Sequence, residues 1–485
     1  MALQTVLDDI RNRPGTGEVI PVIDPATEEQ ITEFRDCGPE AVNEAVARAK
    51  ATYQSGVWTD MPARQRAKIM WKIADLMDEH ASAFAELESL DAGMPPMQAE
   101  MIVSTCAEFF RYYAGWCTKL NGTAYQVQME GGVNSTYANM HAYTVKEPYG
   151  VVGLIFPWNG PLFNASAKVA PALAAGCSSI VKPAEETPLS AILLERLIHE
   201  AGVPEGVTNF LTGYGATAGA AITAHPDVEK VAFTGSTEVG KAIVGAAAGN
   251  LKKVMLELGG KSPVLIYADA DLDMAIMMAA MGIFVHSGQG CVCGSRIFVE
   301  RSVYERVVEG IAMIADNLQL GGPKDEGAMI SPLISAKQLE RVMGYIDEGK
   351  RDGVEIVTGG YRLDRKGYFV KPTVLTNVDP ATSRLYKEEI FGPVVTILPF
   401  DDDDEAVALA NDTTYGLAAT AWTSNLARAH NLGKRLQAGT VTLNCQLVFD
   451  HNVPFGGYKQ SGWGHEFGYE GIDGYLKTKT IWAQL

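Results

Sequence analysis

Several things are scarce in this chain of 485 residues. Its seven cysteines, at 37, 106, 117, 177, 291, 293 and 445, are an odd set without framework spacing, which excludes a disulfide scaffold and leads us to expect a reducing, cytoplasmic setting. Positive charge is also thin: 40 Lys and Arg stand against 58 Asp and Glu, for a net charge of −18. That balance argues against a nucleic-acid partner and against adhesion to an acidic membrane surface, and says nothing of a small substrate. Met1–Ile10 lacks a basic segment followed by an apolar one, so no secretory signal is expected. Residues 270–285 are rich in Ala, Met and Ile, but Asp271 and Asp273 open the run and its apolar part falls short of the ~20 residues of a membrane span. It reads as a buried helix. There is no low-complexity tract and no internal repeat.

Familiar nucleotide and metal motifs are missing as well. Gly213-Tyr214-Gly215-Ala216-Thr217-Ala218-Gly219 has its third glycine too late for the dinucleotide fingerprint, so a helix-starting turn is the better reading and direct phosphate contact the other. Gly259-Gly260-Lys261-Ser262 ends like a phosphate-binding loop, but Met255 stands where the earlier glycine is required,. Cys291 and Cys293 have no matching His/Cys cluster to complete a zinc site, and no metal is expected. The acidic run Asp401–Glu405 reads as a solvated helix start rather than a cation site.

What is present is ordinary globular composition, 47% hydrophobic and 20% charged, in a chain long enough for two or three domains. Between Pro39 and Glu88, helical spacing of Ala41, Val42, Ala45 and Val46, and of Ile69, Ile73, Ala74 and Met77, predicts two amphipathic helices. From about 150 to 265, short apolar runs alternate with helical stretches: Val151–Ile155, Ser178–Val181, Lys230–Phe233 and Val254–Leu256. This implies βαβ units and a parallel sheet buried on both faces. A second α/β set follows, with Ser295–Val299, Val394–Leu398 and Thr440–Asn444. Tyr137–Val145 and Tyr475–Trp482 alternate like strands that pair with another segment or subunit.

Two segments carry chemistry. Cys291 lies in Ser-Gly-Gln-Gly-Cys-Val-Cys-Gly-Ser-Arg, where close glycines let backbone N–H groups approach a substrate atom. Upstream, Glu257-Leu258-Gly259-Gly260-Lys261-Ser262-Pro263 supplies a carboxylate. A thiol of pKa ~8.5 is mostly protonated at neutral pH, so a nucleophilic cysteine needs a depressed pKa or a base. Taken alone, Cys291 is as readily a small buried hydrophobe; beside Glu257 it suggests covalent catalysis at a carbonyl.

These segments belong to an ordered series: Phe156-Pro157-Trp158-Asn159, Lys182-Pro183-Ala184-Glu185, Phe233-Thr234-Gly235-Ser236-Thr237-Glu238-Val239-Gly240, the Glu257 and Cys291 segments, Glu388-Glu389-Ile390-Phe391-Gly392-Pro393, and Pro454-Phe455-Gly456-Gly457-Tyr458-Lys459. Over nearly its whole length the chain thereby resembles the NAD(P)-dependent aldehyde dehydrogenase superfamily, of the non-phosphorylating, hydrolytic type. The resemblance implies a Rossmann-type NAD-binding domain (1–124 and 148–258), an α/β catalytic domain (259–458) and a small β oligomerisation element (125–147 and 459–485), with a homodimer or homotetramer as the assembly. It makes Cys291 the nucleophile, Glu257 the general base and Asn159 an oxyanion donor, with Lys168 and Glu466 assisting proton relay. For the cofactor it implies Ser236 at the pyrophosphate on a helix N-terminus, Lys182 and Glu185 at the adenine ribose, Glu389 at the nicotinamide ribose and Phe391 beside the ring, with Trp158 and Ile155 lining the cleft. A carboxylate at 185 would repel a 2′-phosphate, so NAD is expected over NADP.

Relatives that act on small aldehydes often have bulky aromatics where this chain has Gly160, Asn164 and Ala167, and Gly290 and Val292 flank the nucleophile. With Phe449 and Phe455 as the remaining walls, a bulky, mostly apolar aldehyde, aromatic or terpenoid, is expected. The alternatives are a short-chain aldehyde or semialdehyde, a CoA-acylating dehydrogenase, and a non-catalytic structural protein on this scaffold. Cys293 reads as packing, with a disulfide to Cys291 as the other role. The chain departs from the family at His465, a place often filled by arginine, and in a longer stretch between Trp116 and Glu147.

Overall fold

The computed structural model describes residues 3–127 and 140–484. Its central feature is a six-stranded sheet in the order Gly462–Trp463, Lys253–Glu257, Lys230–Thr234, Val151–Ile155, Ser178–Lys182, Thr208–Phe210. All neighbours pair in parallel except the edge strand Gly462–Trp463, which is antiparallel. Val151–Ile155 and Ser178–Lys182 are buried at every position, as a sheet covered by helices on both faces requires. From Val151–Ile155 the chain builds outward first to Ser178–Lys182 and Thr208–Phe210, then returns to the other side for Lys230–Thr234 and Lys253–Glu257. That reversal leaves a crevice at the carboxyl ends of the strands, the place where open α/β sheets bind ligands.

A second, seven-stranded sheet runs Glu355–Thr358, Thr373–Thr376, Val394–Phe400, Arg296–Glu300, Pro263–Ile266, Ala418–Trp422, Thr440–Leu443. It is parallel apart from the first pair. Glu257 and Pro263 therefore end one sheet and begin the next, and the glycines between them form the joint. The helix Leu272–Phe284 follows, capped by Asp271, which accepts the Met274 N–H at 3.2 Å,. Asp402 likewise caps Asp403–Asn411 by accepting two N–H groups, so the acidic run is a helix start. Gly215–Gly219 forms one π-helical turn leading into Ala220–Ala224. No helix among the described residues is long and apolar enough to cross a membrane.

The structure corrects two boundaries. Three helices, not two, occupy the early segment: Gly38–Gln54, Ala63–Glu79 and Ala81–Ala92. The strand Gly462–Trp463, expected with the C-terminal tail, adds instead to the six-stranded sheet, where Gly462 adopts φ +129° and a Cβ would lie 1.9 Å from the Leu256 carbonyl oxygen,. A separate antiparallel sheet joins Ala124–Tyr125, Met140–Pro148 and Leu476–Gln484, with register running from Leu476 opposite Pro148 to Gln484 opposite Met140. Residues 137–139 of the expected strand Tyr137–Val145, and 128–139 of the expected oligomerisation element, lie outside the described residues.

Candidate active site

Glycines bring the thiol and the carboxylate together. At Gly260 a Cβ would sit 2.1 Å from the Cys291 carbonyl oxygen, and at Gly259 it would sit 2.5 Å from Glu389 Oε2. A side chain at Gly260 would force the segment after Glu257 away from the Cys291 turn, and one at Gly259 would collide with Glu389 and Tyr415. The same closeness lets the Gly260 N–H donate to Glu389 Oε1 at 2.8 Å. The Cys291 turn is itself pinned by Gln289, which is fully buried. The Gln289 amide donates to the His286 and Pro332 carbonyls at 3.2 and 3.3 Å and accepts the Ile334 N–H at 2.9 Å. His286, Ser287 and Gly288 all have positive φ, a strained run held in place by these bonds.

Asn159 meets this turn from the loop that follows Val151–Ile155 in the six-stranded sheet. Its Nδ2 donates to the Gln289 carbonyl at 2.8 Å. A carboxamide has two N–H bonds, and this contact commits one of them. Gly160 precedes the helix Pro161–Ala175, with Pro161 in its first turn and Gly176 ending it at φ +94°,.

Burial controls the titration of the site. It pushes the Cys291 thiol well up, with the nearby Glu389 and Glu257 carboxylates and Cys293 adding to the rise. Glu257 is 2% exposed and neither of its carboxylate oxygens has a hydrogen-bond partner. Burial raises its pKa well above the usual carboxylate range, Glu466 raises it further, and Lys168 works in the opposite direction. Lys168 is fully buried, paired with Glu466, and donates to Thr234 Oγ1 at 2.6 Å. Glu389 is pushed up to about 7, by burial first, with the Gly260 N–H and Lys261 opposing.

The crevice at the strand ends gathers the remaining polar positions. Ile155 closes its strand. Lys182 Nζ bonds the Pro183 carbonyl at 2.7 Å and Glu185 at 3.2 Å, and Glu185 also accepts from the Gly215 N–H at 3.4 Å. Ser236 caps Thr237–Ala247 by accepting the Val239 N–H; the first N–H groups of any helix lack partners within it and favour an anion. Trp158 meets Phe391 edge-on at 5.4 Å. Phe391 sits at φ +61°, held by Gln338, whose amide donates to its carbonyl at 2.7 Å, while Arg341 donates to the Glu389 carbonyl at 2.6 Å.

Phe109, Phe163, Phe449 and Phe467 line an aromatic cleft richer than the sequence suggested. Phe163 contacts Phe109, Phe449 and Phe467 at 5.3, 6.3 and 5.8 Å, and Phe455 contacts Phe449 and Phe467 at 5.7 and 5.5 Å. Cys291, Val292 and Phe163 pack against one continuous apolar cluster that includes Phe455 and Phe467. Glu108, Asp450 and His451 stand at the same cleft. The room expected at Gly160, Asn164 and Ala167 is thus partly refilled: Phe163 of the same helix joins the aromatic cluster, the Asn164 amide turns back onto the Gly160 carbonyl at 2.8 Å, and Ala167 is buried in its helix. Gly290 is packed so that a Cβ would lie 2.9 Å from Cys293 Sγ. Phe109 and Phe467 come from segments distant in sequence, and neither spacing nor motif announced them; Gln289, Gln338 and Arg341 were likewise missed, although Gln289 stands in the thiol motif itself.

Comparison with known proteins gives consistent results. A model of the aldehyde dehydrogenase family matches residues 12–481. The mitochondrial benzaldehyde dehydrogenase of Antirrhinum majus is 44% identical over 97% of this chain and 86% of its own length. The NAD+ complex of an aldehyde dehydrogenase from Bacillus cereus superposes with a TM-score of 0.95 at 43% identity, covering 100% of this chain and 98% of that one. Betaine aldehyde dehydrogenase from Staphylococcus aureus, solved in complex with NAD+, gives a TM-score of 0.95 at 36% identity, covering 99% and 96%.

Proposed function

The chain belongs to the aldehyde dehydrogenase family, and from that premise we propose that it oxidises a bulky, mostly apolar aldehyde, aromatic or terpenoid, to the carboxylic acid with NAD and water. The observation that carries the mechanism is the meeting of the Cys291 turn with the half-committed Asn159 amide and with a buried Glu257 carboxylate that has no hydrogen-bond partner.

Cys291 Sγ attacks the aldehyde carbon after its proton passes to Glu257. The carbonyl oxygen becomes an alkoxide, which the second Asn159 N–H and the Cys291 backbone N–H stabilise; each such donor contributes ~3 kcal/mol to the transition state. When bound, NAD supplies the acceptor for the hydride that leaves the tetrahedral carbon. The Cys291 thioester that results is hydrolysed by water, from which Glu257 removes a proton. Lys168 and Glu466 offer that proton a buried, charged outlet.

The residues present fit the dinucleotide. Lys182 and Glu185 are paired at the crevice, a donor and an acceptor suited to a ribose diol, and the carboxylate disfavours a 2′-phosphate. The Ser236-capped helix start suits the pyrophosphate, and Glu389 with Phe391 suits the nicotinamide riboside. Because hydroxyl recognition needs an acceptor, KM for NAD is expected to rise as pH falls through about 7, where Glu389 becomes protonated. Initial rates at varied NAD between pH 6 and 8.5 check this, and a flat KM would remove Glu389 from that role.

Phe163, Phe449, Phe455 and Phe467 support an apolar substrate, as does the 44% identity to a benzaldehyde dehydrogenase. Glu108 and Asp450 at the cleft oppose an anionic semialdehyde,. In a panel of aldehydes followed by NADH absorbance, benzaldehydes and terpenoid aldehydes are expected to exceed acetaldehyde and succinic semialdehyde in kcat/KM by ~10-fold or more, a ~1.4 kcal/mol difference, with NAD favoured over NADP by at least as much. The reverse order of substrates would discard the pocket reading and leave the mechanism standing. We further propose a homo-oligomer, since Leu476–Gln484 is an edge strand with Trp482 exposed,, and a cytoplasmic setting, in keeping with seven unpaired cysteines.

A further inference from the structure

Two buried carboxyls outside the catalytic constellation sit on the helix Ala81–Ala92. Glu88 and Asp91 are each 0% exposed. Glu88 Oε1 accepts the Leu162 N–H at 3.0 Å and the Ser190 hydroxyl at 2.5 Å, and Asp91 Oδ2 accepts the Leu189 N–H at 3.0 Å. Both N–H groups belong to helix first turns. Leu162 opens Pro161–Ala175, just after Asn159, and Leu189 opens Leu189–Ala201, just after Glu185. The second oxygens, Glu88 Oε2 and Asp91 Oδ1, have no partner.

We propose that Glu88 and Asp91 are a positioning pair that sets, from one buried helix, the two loops on which the reaction depends: Glu88 the loop carrying Asn159, and Asp91 the loop carrying Glu185. The inference rests on the roles proposed above for Asn159 and Glu185. Its physical basis is that an acid buried without a countercharge is costly and is otherwise well replaced by an apolar side chain, whereas helix N-termini offer it orphan donors and a favourable dipole. Each loop is short, running from Ile155 to Pro161 and from Lys182 to Leu189 between a strand end and a helix start, so a displaced first turn displaces the loop. Ser190 lies on the helix that Asp91 caps yet donates to Glu88, which ties the two arms together. The groups facing the pair are Cys106 on Pro96–Trp116, the Ser190 hydroxyl and the two helix N–H groups, with no cation among them. Burial holds both carboxyls toward the protonated form, Glu88 up to about 7 and Asp91 well above its usual range, with Glu88 adding to the latter.

The test uses the purified full chain, with kcat measured on benzaldehyde and NAD affinity and stoichiometry measured by calorimetry. Glu88→Ala is expected to lower kcat ~10- to 100-fold while NAD Kd stays within about threefold, since a misplacement of ~1 Å at a reacting group has costs of that order. Asp91→Ala is expected to raise NAD Kd about tenfold while kcat at saturating NAD stays within about threefold. Glu88→Gln and Asp91→Asn keep the accepting oxygen and should recover most of each loss. Should the alanine variants fail to fold, Glu88→Asp, which withdraws the oxygen from the Leu162 N–H by one methylene, is expected to give the same kcat-selective loss. Proportional loss of kcat and of NAD stoichiometry, with Kd and KM unchanged, would mark the pair as merely structural and overturn the proposal, as would a Kd effect confined to Glu88. If the wild-type chain binds NAD but oxidises no aldehyde, the functional reading fails, whereas the Asp91 effect on NAD affinity still reports on the pair.

Discussion

Replacing Cys291 with alanine is expected to bring NADH formation down to background while NAD binding persists. Cys291 is the thiol whose turn Gly260 approaches from the Glu257 segment, and in the proposed mechanism it provides the covalent path to the acid. Removing a nucleophile from an assembled site has costs on the order of 10⁴- to 10⁶-fold in kcat. Cys291→Ser should be nearly as inactive, since burial and the Glu389 and Glu257 carboxylates already hold the far more acidic thiol in its protonated form, and a hydroxyl is harder still to ionise. The measurement is NADH absorbance with benzaldehyde, alongside calorimetry with NAD alone. Turnover within tenfold of wild type in either variant would remove Cys291 from the nucleophile's role.

Glu257→Gln is expected to lower kcat by ~10²- to 10⁴-fold, the usual contribution of a general base. The carboxylate is suited to that task by its surroundings: it is buried without a hydrogen-bond partner, and desolvation with Glu466 nearby raises its pKa well above the ordinary carboxylate range. A raised carboxyl is protonated at acidic pH and becomes a base only as pH rises, so the wild-type rate should climb with pH through the titration of Glu257. The glutamine variant should lose that limb of the profile. Hydroxylamine, which attacks a thioester without a base, tells the two steps of Glu257 apart. If it restores NADH formation and yields hydroxamate, the variant stalls at thioester hydrolysis; if it does not, Glu257 is needed earlier, to accept the thiol proton.

Much of the molecule was legible from the residues. Val151–Ile155 has no polar side chain and is buried at every position, as a strand covered on both faces requires, and the alternation of such short runs with helical stretches marked the parallel sheet. Asp271 and Asp402 signal helix starts because a short acceptor side chain satisfies orphan N–H groups. The lone mismatch among the early helices, three where two were expected, comes at His80, where Ala63–Glu79 and Ala81–Ala92 meet without a glycine or proline to mark the break.

Sequence by itself determined the family, the α/β architecture and the chemical types in the site, because these reside in local runs: a thiol between glycines, a carboxylate before Gly259 and Gly260, a lysine and a glutamate three residues apart at 182 and 185. Tertiary structure alone decided what surrounds them. Phe109, Phe163 and Phe467 meet across segments far apart in the chain, and so bring aromatic bulk to a cleft where the small residues at 160 and 167 had led to an expectation of room. Gly462–Trp463 leaves the tail to complete the six-stranded sheet, and Glu88 reaches two helix starts at once. The reason is the same in each case: local residues fix what an element can be, but shape, room and the partners of buried charge are set by which elements pack together, and single-chain periodicity carries no record of that.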